Sequence, residues 1–303
     1  MHYLKKNYYG DMPAGNGSSS ELKDPAVSLL LSRISYLIHL ADTNLILAQR
    51  NAEWCGHGPV LEQDIAITNI SLDLLGQARN FYQYAAAIIN IKSDISADKT
   101  ESEVRSISIP ENKKATVTED SLAYFRTERE FKNLLITELP KVDWAHTILR
   151  QFFCSVYQYL LYGQLQKNND AQLAAIAGKS IKEIIYHVKW SSEWVIRLGD
   201  GTEESHKRMV RAIENLWPYT GEFFVPADYE NKATTGFDLN SLKQSWLDKV
   251  ITILEEATLG AALKKMDFIF MQSGGKTGIH TEHMGIILAE LQYLQRTYPG
   301  AEW

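Results

Sequence analysis

The sequence predicts an all-α fold: a bundle of four long helices with additional helices toward the C-terminus. Three observations lead there. Apolar residues recur three or four apart along several long stretches, the spacing that lines one face of a helix. No segment of four or more residues alternates as a strand does. Asp, Gly and Pro fall between the stretches, where helices start and stop. With 45% hydrophobic and 11% aromatic residues, a chain of 303 residues can bury a large core, and a single domain over 31–303 is expected behind an N-terminal extension, 1–30.

From Ile34 the positions Leu37, Ile38, Ala41, Leu45, Ala48 and Ala52 define a first helix over about 34–54. Gly56, Gly58 and Pro59 end it. A second helix, from about Leu61 to Asn90, carries the stripe Ile67, Ile70, Leu74, Ala78, Phe81, Ala85 and Ile88, and the two form an antiparallel pair. Residues 92–118 are polar, Ser-rich and without a period, and read as a mobile surface loop. Asp120 or Ser121 starts a short helix that ends before Pro140. Asp143 caps a helix from Trp144 to about Gln166, with Leu149, Phe152, Phe153, Val156 and Leu160 inward. Asp170 opens another, to Leu198, whose inner stripe is Ala177, Ile181, Ile184, Val188, Ser191 and Val195. The Gly199-Asp200-Gly201 turn closes it, and further helices are expected at 203–217, 240–257 and 281–297. Two pairs of long helices, each joined by a short loop, with a long crossover between pairs, match the ferritin-like form of the four-helix bundle.

The formal net charge is -6, with Lys and Arg scattered among Asp and Glu, which excludes nucleic acid as the main partner because phosphate binding needs clustered cations. Cys55 and Cys154 are too few for a disulfide framework and lack metal-ligand spacing, so both are expected as buried thiols. The most apolar run, Val27 to Ala48, is broken by Arg33, His39 and Asp42, so no membrane span is expected. Residues 1–20 lack the apolar stretch of an export signal, which points to the cytoplasm.

Ferritin-like di-iron proteins take one Glu from each of two helices and a Glu-x-x-His pair from each of the other two. The helices that should carry such pairs contain none. At the corresponding core positions stand Leu74 with Gln77 and Ile184 with His187, and of these only His187 is an iron ligand by chemistry. Asp73 and Glu183 sit one residue earlier; a helix turns about 100° per residue, so their carboxylates are expected to point away from the shared centre. Asn69, Asp73 and Gln77 make a polar row suited to hydrogen bonding between helices, and Glu53 is expected solvated or ion-paired.

Longer strings carry a resemblance. Ala52-Glu53-Trp54-Cys55-Gly56-His57 and Asp73 to Phe81, then Lys182 to His187, Arg197 to Thr202, Gly274 to His283, Gln292 to Arg296 and Pro299 to Trp303 follow one another in an order that resembles the structural C-type subunits of ring-1,2-phenylacetyl-CoA epoxidases. The N-terminal thirty or so residues and the 92–118 segment look like additions to that pattern. The resemblance implies a complex that epoxidises the aromatic ring of phenylacetyl-CoA with O2 and NADPH-derived electrons. In it the A-type, catalytic subunit holds the di-iron centre, and a reductase with flavin and iron–sulfur groups supplies electrons. The C-type subunits resembled here share the fold of the catalytic one, pair with it, carry no cofactor and do no chemistry. The family's catalytic subunit shows Asp-Glu-Ala-Gly-His where this chain has Asp73 to Gln77, and Lys-Glu-Glu-Ser-Phe-His where it has Lys182 to His187.

Other motifs point elsewhere. Gly274-Gly275-Lys276-Thr277 suggests a phosphate loop, but the glycine required five residues before Gly275 is Phe270, and a helix precedes it. A contact of Lys276 and its turn with a coenzyme A phosphate or a partner's carboxylate stays open, beside a plain cap for the last helix. His280 and His283, three apart, lack the extension of a zinc site and suit an interface better. Two further functions fit the residues: a di-iron oxygenase with unorthodox ligands, and a helical binding protein acting alone. Self-association is open in all three.

Overall fold

The computed structural model describes residues 25–95, 116–233, 237–264, 271–299 and 301. Its first helix, α1 (Pro25–Ala52), runs back through a tight loop into α2 (Leu61–Ile95). Then come α3 (Glu119–Tyr124), α4 (Trp144–Leu165), α5 (Ala171–Gly199), α6 (Glu203–Leu216), α7 (Asp228–Ala233), α8 (Leu242–Glu256), α9 (Gly260–Leu263) and α10 (Met284–Thr297), with short 3-10 turns between several of them. No strand occurs among the described residues.

Local chemistry sets the ends. The Asp143 carboxylate accepts from the His146 amide at 2.9 Å, and Asp170 accepts from the amides of Gln172 and Leu173, so both caps act as the sequence predicts. Thr118 and Thr202 form reciprocal capping boxes with Ser121 and Ser205, which start α3 and α6. The first helix begins earlier than the periodicity indicates: Pro25 occupies its first turn, where a missing N–H costs nothing, so residues 25–30 belong to the helix and not to an extension. Residues 1–24 lie outside the described residues, as do 96–115 of the expected loop. The edges of that loop are ordered structure: α2 runs on to Ile95, and Val117 is buried and exchanges two hydrogen bonds with Asn90.

The four long helices pack as two hairpins, α1 on α2 and α4 on α5, with α2 laid along α5. Asp73 meets His187 and Gln77 meets Glu183, so α2 and α5 are antiparallel. α1 meets α4 through side chains. From Tyr36 to Ala48 every residue of α1 is buried, because α7, the 126–138 segment and α10 cover the side that the bundle leaves open. A helix apolar nearly all round needs such a wrap. Cys154 is buried as expected, but Cys55, in the α1–α2 turn, is exposed.

Candidate functional site

Leu74 and Ile184 face each other's helices at the middle of the bundle, each 0% exposed, and Gln77 and His187 are buried beside them. All four therefore lie in the core. The two acidic neighbours lie off the centre, at its rim. Neither turns away into solvent: each reaches across the α2–α5 seam, Asp73 Oδ2 lying 3.0 Å from His187 Nε2 and Glu183 Oε2 accepting from Gln77 Nε2 at 2.9 Å. The seam is closed by two crossed pairs, Asp73 with His187 and Glu183 with Gln77. Asn69 is exposed and stands outside this row. Glu53 is ion-paired, at 2.5 Å from Arg50 Nη1.

Across the core, α1 and α4 are joined by a ladder of amides that sequence reasoning missed. Asn51 Nδ2 donates to Gln151 Oε1 at 2.6 Å and Gln151 Nε2 to Ser155 Oγ at 2.8 Å. Gln158 Nε2 donates to Asn44 Oδ1 and Asn44 Nδ2 to the Tyr162 hydroxyl, both at 2.9 Å. The signal was present, since Asn44 and Asn51, and Gln151 and Gln158, recur seven apart on otherwise apolar faces. A heptad spacing returns a side chain to the same face, so these amides rise one above another along a single seam.

A di-iron centre needs several carboxylate oxygens converging on one point. Leu74 and Ile184 offer no donor atom, His187 presents its Nε2 to Asp73, and the ladder opposite is made of neutral amides. Among the described residues no three His, Cys, Asp or Glu side chains are grouped to hold a metal ion. The donor set at this centre does not fit a di-iron pair.

The second candidate cluster, the Gly274–His283 turn, needs correction. Its donors point inward. The amides of Gly274 and Gly275 donate to Glu222 Oε1 at 2.9 and 2.8 Å, and Lys276, 3% exposed, donates from Nζ to Glu230 Oε2 at 2.9 Å. His280 lies with Nδ1 2.7 Å from Glu138 Oε1 and Nε2 3.1 Å from the Phe131 carbonyl. The anion that this glycine turn receives is the protein's own Glu222, which leaves those amides and Lys276 no role toward a phosphate. A Cβ on Gly275 would stand 2.2 Å from the Asn133 carbonyl oxygen, so only glycine admits this approach. The His283 side chain is partly exposed, at 29%, whereas that of His280 is fully buried. The turn ends at the N-cap of α10: His283 is the cap residue, without a side-chain cap bond, and the Met284 amide donates to the Thr281 carbonyl at 3.2 Å.

Carboxylates fasten the rest of the wrap. Asp42 is enclosed by both terminal nitrogens of Arg126, the Tyr82 hydroxyl and the Lys132 amide. Burial works against the Arg126 guanidinium, yet Asp42 outweighs it and holds its pKa above the ordinary value. Burial raises the Glu222 carboxyl in spite of its three backbone donors, Leu135, Gly274 and Gly275. Glu138 takes His280, Asn133 and Thr281. Arg150 is the exception among the buried charges: its Nη1 donates to the Leu139 carbonyl, its Nε and Nη2 have no partner, and burial pulls its pKa down to about 10.

An all-helical, ferritin-like protein whose central positions are carboxylate-free is the class that this fold and site define. The chain belongs to the family described as phenylacetic acid catabolic protein, whose model matches residues 30–303. It is similar to the C-type subunit of 1,2-phenylacetyl-CoA epoxidase from Escherichia coli (strain K12), at 40% identity over 272 residues, which is 89% of this chain and 98% of that protein.

Proposed function

We propose that this chain is the non-catalytic structural subunit of a phenylacetyl-CoA 1,2-epoxidase, working in the cytoplasm in aerobic phenylacetate catabolism. It pairs with the di-iron catalytic subunit, which it supports. The chain itself carries no cofactor; iron belongs to the catalytic partner, and flavin and iron–sulfur groups to the reductase partner. The observation that carries this reading is the centre of the bundle, where Leu74 and Ile184 stand in a frame similar to that of an epoxidase component and offer no oxygen to a metal. A di-iron enzyme with unorthodox ligands is disfavoured by the same donor set. A rigid, apolar-centred bundle suits a support because catalytic ligands keep their geometry only when the helices behind them are held.

Size-exclusion chromatography of the chain mixed with its catalytic partner tests the pairing and separates it from a binding protein that acts alone. Co-elution at a defined ratio, with a thermal transition of the catalytic partner raised by the mixture, is the expected result. Separate elution with unchanged transitions overturns the proposal.

A further inference from the structure

Between α1 and α4 lies a small cavity of about 10 Å³, lined among others by Thr43, Asn44, Tyr157, Gln158 and Tyr162, all of them buried. Two of the residues that line it carry a buried polar atom without a partner, the Tyr157 hydroxyl and Gln158 Oε1. The remaining amide atoms form a one-way chain: Gln158 Nε2 donates to Asn44 Oδ1, and Asn44 Nδ2 donates to the Tyr162 hydroxyl. The chain lacks a donor to Gln158 Oε1 at its head, and Tyr157, a neighbouring residue of the same lining, carries a hydroxyl with no acceptor.

We propose that this cavity binds one ordered water molecule, which accepts from the Tyr157 hydroxyl and donates to Gln158 Oε1. The donor direction then runs without a break from Tyr157 through the water, Gln158 and Asn44 to Tyr162, the arrangement in which each hydrogen bond polarises the next. Size selects the ligand, because a space of about 10–15 Å³ holds a single water and nothing larger. Chemistry selects it too. A neutral amide oxygen and a hydroxyl are too few and too weak as acceptors for a metal ion, whereas water supplies the one donor and one acceptor needed. Burial holds the Tyr157 hydroxyl in its neutral, donating form. The inference is independent of any pairing with a catalytic partner, and it makes the α1–α4 seam a hydrated joint between two helices that touch only through side chains.

The test is a crystal structure of the protein at a resolution that orders internal water, together with the thermal midpoint of Tyr157→Phe. That variant keeps the ring stacked on Phe223, with centroids 4.7 Å apart, so only the hydroxyl is lost. The expected results are a density peak within hydrogen-bond distance of both Tyr157 Oη and Gln158 Oε1 and a lowered midpoint in the variant. A dry cavity in the parent overturns the proposal. So does a Tyr157→Phe midpoint equal to or above that of the parent, the outcome of deleting a buried hydroxyl that bonds to nothing.

Discussion

The centre of the bundle and the wrap around α1 handle polarity in opposite ways. At the centre, the positions that would hold acidic ligands carry Leu74 and Ile184, and what is polar there is amide, hydroxyl and the His187 imidazole, with Asp73 and Glu183 kept to the rim. In the wrap, Asp42, Glu138, Glu222 and Glu230 are almost wholly buried, and each is met by several donors. The difference teaches where this fold tolerates buried charge. A carboxylate leaves water at a cost of several kcal/mol, which only a full set of donors offsets. The wrap provides donors from distant segments that converge on each carboxylate, whereas the donors near Leu74 and Ile184, Gln77 and the amides of the ladder, are already taken by other partners.

Putting the charges back is the harshest way to break the comparison. The triple variant Leu74→Glu, Gln77→His and Ile184→Glu rebuilds two Glu-x-x-His pairs and buries two carboxylates, and without metal it should lose on the order of 5 kcal/mol in urea unfolding. Stability equal to the parent's would show that these positions admit water.

Two buried arginines give the next largest contrast. Arg126→Met strands Asp42 and should cost about 3–5 kcal/mol. Arg150→Met removes a guanidinium that faces no carboxylate and should change stability by less than about 1 kcal/mol. Equal losses in the two would erase the distinction between compensated and uncompensated charge.

The amide ladder should be worth less. A double-mutant cycle on Asn51→Leu and Gln151→Leu should return a coupling of about 1 kcal/mol, the net worth of one buried neutral hydrogen bond. A coupling indistinguishable from zero would mean that the ladder is incidental.

The smallest effect is one of sign. Burial lowers the His280 pKa, but the Glu138 carboxylate and the Phe131 carbonyl, one on each ring nitrogen, outweigh it and the net shift is upward. A raised folded pKa contributes stability in full below the unfolded value of about 6.5 and loses it as pH rises through the folded pKa. His280→Gln should therefore destabilise more at acid than at alkaline pH. Burial lowers the His39 pKa, so its contribution is present above about 6.5 and is lost as pH falls through the folded pKa. His39→Gln should do its greater damage at alkaline pH. Thermal melts of both variants across this range decide it, and parallel trends would contradict the assignment of the two environments.

Much of the frame was legible because it is local. The stripe from Ile67 to Ala85, the caps at Asp143 and Asp170, and the buried apolar pair of Leu74 and Ile184 all follow from residues a few positions apart. The wrap was not legible. His280 finds Glu138 at a separation of 142 residues and Gly275 finds Glu222 at 53, and no local pattern announces such partners. Lys276 and His280 consequently look like surface groups in the sequence and are buried ones in the fold. Asp73 and Glu183 fall between these cases: helix geometry puts them off the centre, and it cannot say that each reaches across to the other helix.

The central claim is that this chain keeps the frame of a di-iron protein without its metal chemistry, and its iron content tests that most directly. The protein is loaded anaerobically with ferrous salt, desalted and analysed for metal. The account predicts iron far below one equivalent per chain; about two irons per chain, the load of an intact di-iron centre, would contradict it.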